Sequence, residues 1–210
     1  MERDPFSGMK FIDEYADPEL VKKLVHLIQK DLEDISRPVN LMEVCGTHTM
    51  SIGRSGIRSI VPDKLKLLSG PGCPVCVTPS GYISASIELA ERKEVLITTF
   101  GDMVRVPNSS GDTLGRFPKE KVRIVYSPLE AITIAMENPD KEVVFLGVGF
   151  ETTAPVIAQT IKVAVENKLS NFTCLSANKI IPPALKALAD NPLSKIDGFI
   201  LPGHVSVIIG

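Results

Sequence analysis

The sequence predicts a parallel α/β protein. Short apolar runs without polar alternation recur at residues 39–45, 65–69, 94–100, 122–126, 142–149, 172–177 and 198–202. Stretches with helical spacing fall between them at 47–57, 79–92, 128–137, 154–168 and 182–190. Strands buried on both faces read as continuous apolar runs, and a helix is the usual link between parallel neighbours.

The elements follow in order. Asp17-Pro18 opens a helix as N-cap and first helical residue, and Leu20, Leu24, Leu27 and Ile28 then share one face. His26 lies on this helix and is read as structural. After Pro38 the strand–helix rhythm begins. Residues 102–118, rich in Pro, Asn, Ser and Gly, read as a loop. This loop follows a strand's carboxyl end, where open α/β sheets carry their ligand loops. The break Met136-Glu-Asn-Pro-Asp-Lys divides the chain into two halves of similar rhythm, so the expected domains are 1–138 and 139–210. Val205-Ser-Val-Ile-Ile-Gly210 begins another helix, and the second domain is expected to be cut short there.

Composition narrows the function classes. The formal net charge is −2, which offers no electrostatic footprint for nucleic acid or an anionic membrane. The polar start, Met1-Glu-Arg-Asp-Pro-Phe, lacks a signal peptide's apolar centre, and no apolar run approaches the length of a membrane span. A cytoplasmic protein is expected. Four cysteines in 210 residues then point to metal binding or thiol chemistry rather than a disulfide framework.

Three of those cysteines sit in two Gly/Pro-rich stretches that follow apolar runs: Cys45-Gly-Thr-His48-Thr and Gly70-Pro-Gly-Cys73-Pro-Val-Cys76. A Cys-x-x-Cys pair closes a small disulfide loop or gives two ligands to one metal. Structural zinc takes four ligands, and no second close pair exists, so redox work is favoured. Thr78-Pro79-Ser80 starts a helix just beyond Cys76, whose thiolate the helix end should favour. Cys45 ends a strand and His48 enters the next helix, where thiol and imidazole suit a shared metal or a proton exchange. His48 reads equally well as a capping or core histidine.

Thr47 and Thr49 flank His48 as candidate ligand-binding hydroxyls. Glu151, Thr152 and Thr153 follow a strand and either bind a ligand, orient His48 or cap the next helix. Cys174, mid-strand, reads as core. His204, in Leu-Pro-Gly-His204, ends a strand. Gly147-x-Gly149 lacks the remainder of a dinucleotide fingerprint.

Cys45-Gly-Thr-His-Thr-Met, Ser69-Gly-Pro-Gly-Cys-Pro-Val-Cys-Val-Thr, Gly149-Phe-Glu-Thr-Thr-Ala-Pro and Leu201-Pro-Gly-His-Val-Ser together resemble the HypD family of hydrogenase maturation proteins. The match runs in order from about Val39 onward. The resemblance implies two Rossmann-like α/β domains flanking a cleft, and a part in assembling the Fe(CN)2CO group of nickel–iron hydrogenases. It implies that Cys45 holds the iron with His48 beside it, and that Cys73 and Cys76 are a redox-active pair. His48 is assigned as a general acid on the leaving sulfur. Partners implied are a small chaperone of the HypC type, which supplies a second cysteine to the iron, and a HypE-type cyanide donor. The family also carries a [4Fe-4S] cluster in a C-terminal part, and none of the four cysteines here matches its ligands. Such a protein is an assembly factor with redox activity rather than a conventional metabolic enzyme. Two other readings stay open: a general Cys-x-x-Cys thiol–disulfide oxidoreductase, which would not need Cys45, and a nucleotide-binding α/β protein, favoured by fold alone.

Overall fold

A computed structural model describes residues 17–209. The chain forms two parallel sheets and two compact units. The described residues through Gly70, with Pro192–Leu201, make one unit. Pro71–Asn191, with the residues from Pro202, make the other. A proline stands first after each of the three crossings.

The first unit holds a three-stranded sheet. β1 (Val39–Glu43) lies between β2 (Leu65–Ser69) and β7 (Gly198–Ile200), all parallel. α1 (Pro18–Asp31) begins as the Asp17-Pro18 signal predicts, the Asp17 carboxylate accepting the Glu19 N–H at 2.8 Å. α2 (Gly46–Ser55) follows β1 and ends at Gly56, whose φ of 67° suits glycine and turns the chain into a short 3-10 helix, Ile57–Ser59.

The second unit holds a four-stranded sheet. β3 (Val95–Thr99) and β5 (Glu142–Gly147) are its centre, with β4 (Val122–Ile124) and β6 (Phe172–Ser176) outside. All five residues of β3 are buried, as its unbroken apolar run predicts. One face packs Ile83, Ile87 and Ala90 of α3 (Ser80–Glu91) on Val95, Ile97, Val144 and Leu146. The other packs Ala131 and Ala135 of α4 (Pro128–Glu137) and Ile157 of α5 (Ala154–Glu166) on Leu96, Val143 and Phe145. α6 (Ile181–Asp190) and α7 (Gly203–Ile209) meet through Ile181, Leu185 and Val205, beside Phe150.

The expected boundary near residue 138 is corrected. β3 and β4, before it, share one sheet with β5 and β6, after it, in continuous register from Val95↔Glu142 to Thr98↔Phe145. The division instead follows β7, which leaves the second half of the chain to pair with β1. Its seat is specific. The Asn40 N–H donates to Asp197 Oδ2 at 2.8 Å, and the Asp197 N–H returns to the Asn40 carbonyl at 2.9 Å. The Asn40 amide donates to the Lys195 carbonyl at 2.8 Å, and Arg37 pairs with Asp197 at 2.6 Å.

That seat predicts an acid-labile edge. The Arg37 hydrogen bond, then the Asn40 N–H, hold the Asp197 carboxyl below its ordinary range. A carboxyl depressed in the fold stabilises fully above its unfolded pKa, near 3.8, and this contribution is lost as pH falls through the lower folded value. Amide exchange at β7 should therefore rise on acidification before that at β3 and β5, and Asp197→Asn should abolish this pH dependence. An unchanged β7 profile in Asp197→Asn would remove the carboxylate from the account.

The stretch 102–118, expected as loop, is ordered by two 3-10 turns, Gly101–Arg105 and Leu114–Arg116. Met103 and Leu114 are fully buried and pin it to the α3 face, while Asn108 Oδ1 accepts the N–H groups of Ser110 and Asp112, each at 2.9 Å. Two apolar anchors in a polar stretch are too sparse to show as periodicity.

Candidate functional site

Two groups of functional side chains emerge, one in each unit. In the first unit Cys45 is the N-cap residue of α2, with extended backbone (φ −150°, ψ 127°). Its thiol is buried and caps no helix amide. Glu43, the last residue of β1, is completely buried. Glu43 Oε2 accepts the Cys45 N–H at 3.2 Å, and Oε1 accepts the Thr49 hydroxyl. The Glu43 carbonyl accepts the Gly70 N–H at 2.8 Å. A Cβ at Gly70 would lie 2.7 Å from that same carbonyl oxygen, so the close approach of β2's end to β1 requires glycine here.

Sequence reasoning found Cys45 and Thr49 and missed Glu43, which connects them. The available signal was a single acidic residue inside the apolar run Val-Asn-Leu-Met-Glu-Val-Cys. An unpaired buried carboxylate is costly, so its presence in a strand calls for partners. Thr47, on the same helix, is exposed. His48 enters α2 as predicted, but it lines an apolar cavity of about 320 Å³ with Ile28, Leu41, Ile52, Leu65 and Ile200. Its buried Nδ1 has no hydrogen-bond partner among the described residues.

In the second unit Cys73-Pro-Val-Cys76 forms a separate turn ahead of α3. The Val77 N–H reaches the Cys73 carbonyl at 3.3 Å, and the Thr78 hydroxyl donates to the Pro74 carbonyl at 2.9 Å. Two valines moor this turn, Val75 on the α3 face and Val77 on the Phe150–Ile181–Val205 cluster. Both cysteines are free thiols, Cys73 half-buried and Cys76 exposed. The Cys76 N–H donates to Cys73 Sγ at 3.3 Å.

The groups around Cys76 work against the expected thiolate. Hydrogen bonding to the Cys73 sulfur pushes the Cys76 thiol above its ordinary range, with desolvation next, and the charge of Asp102 adds to it. α3 starts only at Ser80, with Pro79 at the N-cap and no side-chain cap. A macrodipole acts within about one turn.

Glu151 is buried, and its Oε1 accepts the Ile181 N–H at 2.6 Å. It thus caps α6, rather than α5 as its place in sequence suggested, while Oε2 has no hydrogen-bond partner among the described residues. Thr152 is exposed and Thr153, at the N-cap of α5, makes no side-chain cap bond. Cys174 is half-buried rather than deep in the core, because β6 is an edge strand. Burial raises its thiol, and its sulfur sits where a Cβ at Gly147 would be 3.0 Å away. His204 is exposed on α7, and His26 is exposed on α1. Among the described residues no three His, Cys, Asp or Glu side chains converge as a metal site, and no helix is long and apolar enough to cross a membrane.

The fold and these thiols define a parallel α/β protein that presents cysteines just beyond the carboxyl ends of its strands. The chain belongs to the HypD family of hydrogenase maturation factors: the family profile described as "HypD: Hydrogenase formation hypA family" matches residues 19–210. Hydrogenase maturation factor HypD of Escherichia coli (strain K12) is 42% identical over 207 residues, covering 96% of this chain and 56% of that protein. The corresponding factor of Rhodobacter capsulatus is 43% identical over 207 residues, covering 96% and 55%. That of Rhizobium leguminosarum bv. viciae is 42% identical over 210 residues, covering 96% and 54%. The chain spans about half the length of the curated relatives it matches.

Proposed function

We propose that the chain is a scaffold and thiol-redox participant in assembling the Fe(CN)2CO group of nickel–iron hydrogenases. The observation that carries this reading is the division of labour between thiols. Cys45 is alone, buried and free of capping duty, whereas Cys73 and Cys76 share one turn and one hydrogen bond. Iron that carries cyanide and carbonyl favours soft thiolate ligands, and Cys45 supplies one. A cysteine of a HypC-type chaperone supplies another.

The pair supplies electrons for releasing cyanide from a thiocyanate borne by a HypE-type donor. The Cys73 thiolate attacks the thiocyanate sulfur. An S–S bond forms, the S–CN bond breaks and cyanide leaves for the iron. Cys76 then gives up its proton and attacks the Cys73 sulfur, closing the intramolecular disulfide and returning the donor's thiol. Two thiols lose two electrons, and the thiocyanate gains them as thiol and hydrogen cyanide. An external dithiol reopens the disulfide. A [4Fe-4S] cluster needs a convergent set of thiolates. Among the described residues no such set converges, and the steps above are written for the two sulfurs of the pair. His48 lines an apolar cavity, its buried Nδ1 has no hydrogen-bond partner among the described residues, and no step is assigned to it.

Infrared spectroscopy of the protein purified anaerobically with its small chaperone tests the reading. Cyanide and carbonyl stretches from bound iron are expected. A complex that binds the chaperone, contains iron and shows neither stretch would count against it.

A further inference from the structure

We propose that Glu43 is a positioning residue for the Cys45 thiol, a role that rests on Cys45 being the iron-holding residue. Glu43 sits on a strand between Met42 and Val44 with no exposed surface. An aliphatic side chain would fill that place without the cost of burying a carboxylate. What the carboxylate adds is two hydrogen bonds to the start of α2: Oε2 takes the Cys45 N–H and Oε1 the Thr49 hydroxyl, one turn further on.

These bonds fix the backbone that carries the sulfur. An N-cap side chain ordinarily accepts an amide from the first turn of its helix. Cys45 occupies that position, and its side chain caps nothing. Glu43 instead fixes the helix start from two residues upstream, holding the Cys45 backbone while leaving the thiol unspent. The Glu43 carbonyl also holds the Gly70 N–H, so the same residue ties the ends of β1 and β2 together. Groups that orient a metal ligand in this way typically change metal affinity about 10–100-fold when altered.

Two variants of the intact chain test the role. Glu43→Gln keeps shape and volume but offers an NH2 group where one of its two donors needs an acceptor. Thr49→Val removes the hydroxyl and leaves the carboxylate. Three quantities are measured: iron retained in the complex with the small chaperone, the alkylation rate of Cys45 by iodoacetamide at fixed pH, and amide exchange along the β1–β2 ladder. Glu43→Gln should retain about tenfold less iron and alkylate at Cys45 about tenfold faster, with ladder exchange unchanged. Thr49→Val should move both in the same direction by less. A merely structural carboxylate would loosen the ladder together with the thiol, and that result overturns the proposal. So does iron retention equal to wild type in both variants. Should the wild-type complex hold no iron, the iron reading fails by itself, and Cys45 alkylation against ladder exchange still decides whether Glu43 positions the thiol.

Discussion

Cys45→Ala should strip iron from the complex with the small chaperone to background, while the Cys73–Cys76 disulfide still opens and closes. The reason is chemical rather than structural. Cys45 is the only thiol in its unit, and removing one buried sulfur costs about 1 kcal/mol of packing, well inside what a folded domain tolerates. β1 and α2 should persist, because Glu43 binds the Cys45 backbone and not its sulfur. Metal analysis of the purified complex gives the first readout, and quantifying free thiols under a graded dithiol buffer gives the second. Full iron content in Cys45→Ala would assign the iron elsewhere. Cycling lost together with iron would mean that the two thiol groups are not separate functions.

Cys76→Ser should stop the proposed reaction at a mixed disulfide on Cys73, whereas Cys73→Ser should form no adduct. Exposure alone would nominate Cys76 as the attacking sulfur, since Cys73 is half-buried. The hydrogen bonding within the turn nominates Cys73. The Cys76 thiol is pushed upward by its bond with the Cys73 sulfur, while the Cys73 sulfur receives the Cys76 N–H. The thiolate is the nucleophile, so the proton outweighs the exposure. Intact mass measured after mixing each variant with a peptide bearing a cysteine thiocyanate reads the result. An adduct on Cys73→Ser and none on Cys76→Ser would reverse the roles. The pH dependence has a definite sign: Cys76, raised in the fold, remains a protonated thiol through neutrality. Its own alkylation should therefore accelerate only as pH climbs past the ordinary thiol range.

Much of the architecture was legible because it is local. The five buried residues of β3 and the Val/Leu run of β5 announce strands covered on both faces, and the helical spacing of 128–137 announces α4, where both halves of a capping box form. Chain pairing was not legible. Gly198–Ile200 is three residues long and carries no mark of its partner. Its place beside β1 depends on Asn40 and Arg37 meeting Asp197, more than 150 positions away in sequence. That one strand moved the expected domain boundary. The capping role of Glu151 differs for the same reason: its carboxylate accepts the N–H of Ile181, thirty residues on.

The two cysteine motifs were evident from residue type and spacing alone. A lone thiol followed by Gly-Thr-His and a Cys-x-x-Cys among Gly and Pro are short-range patterns, and turn chemistry fixes the backbone around them. What tertiary structure decided is how each sulfur is held and what raises the Cys76 thiol. Those properties depend on groups brought in from outside the motif: the buried Glu43 carboxylate at the Cys45 N–H, Asp102 near Cys76, and the two cores that moor Val75 and Val77. Hydrogen bonds and burial act over a few ångströms in space, so a linear pattern names the reactive atoms and only the fold sets their state.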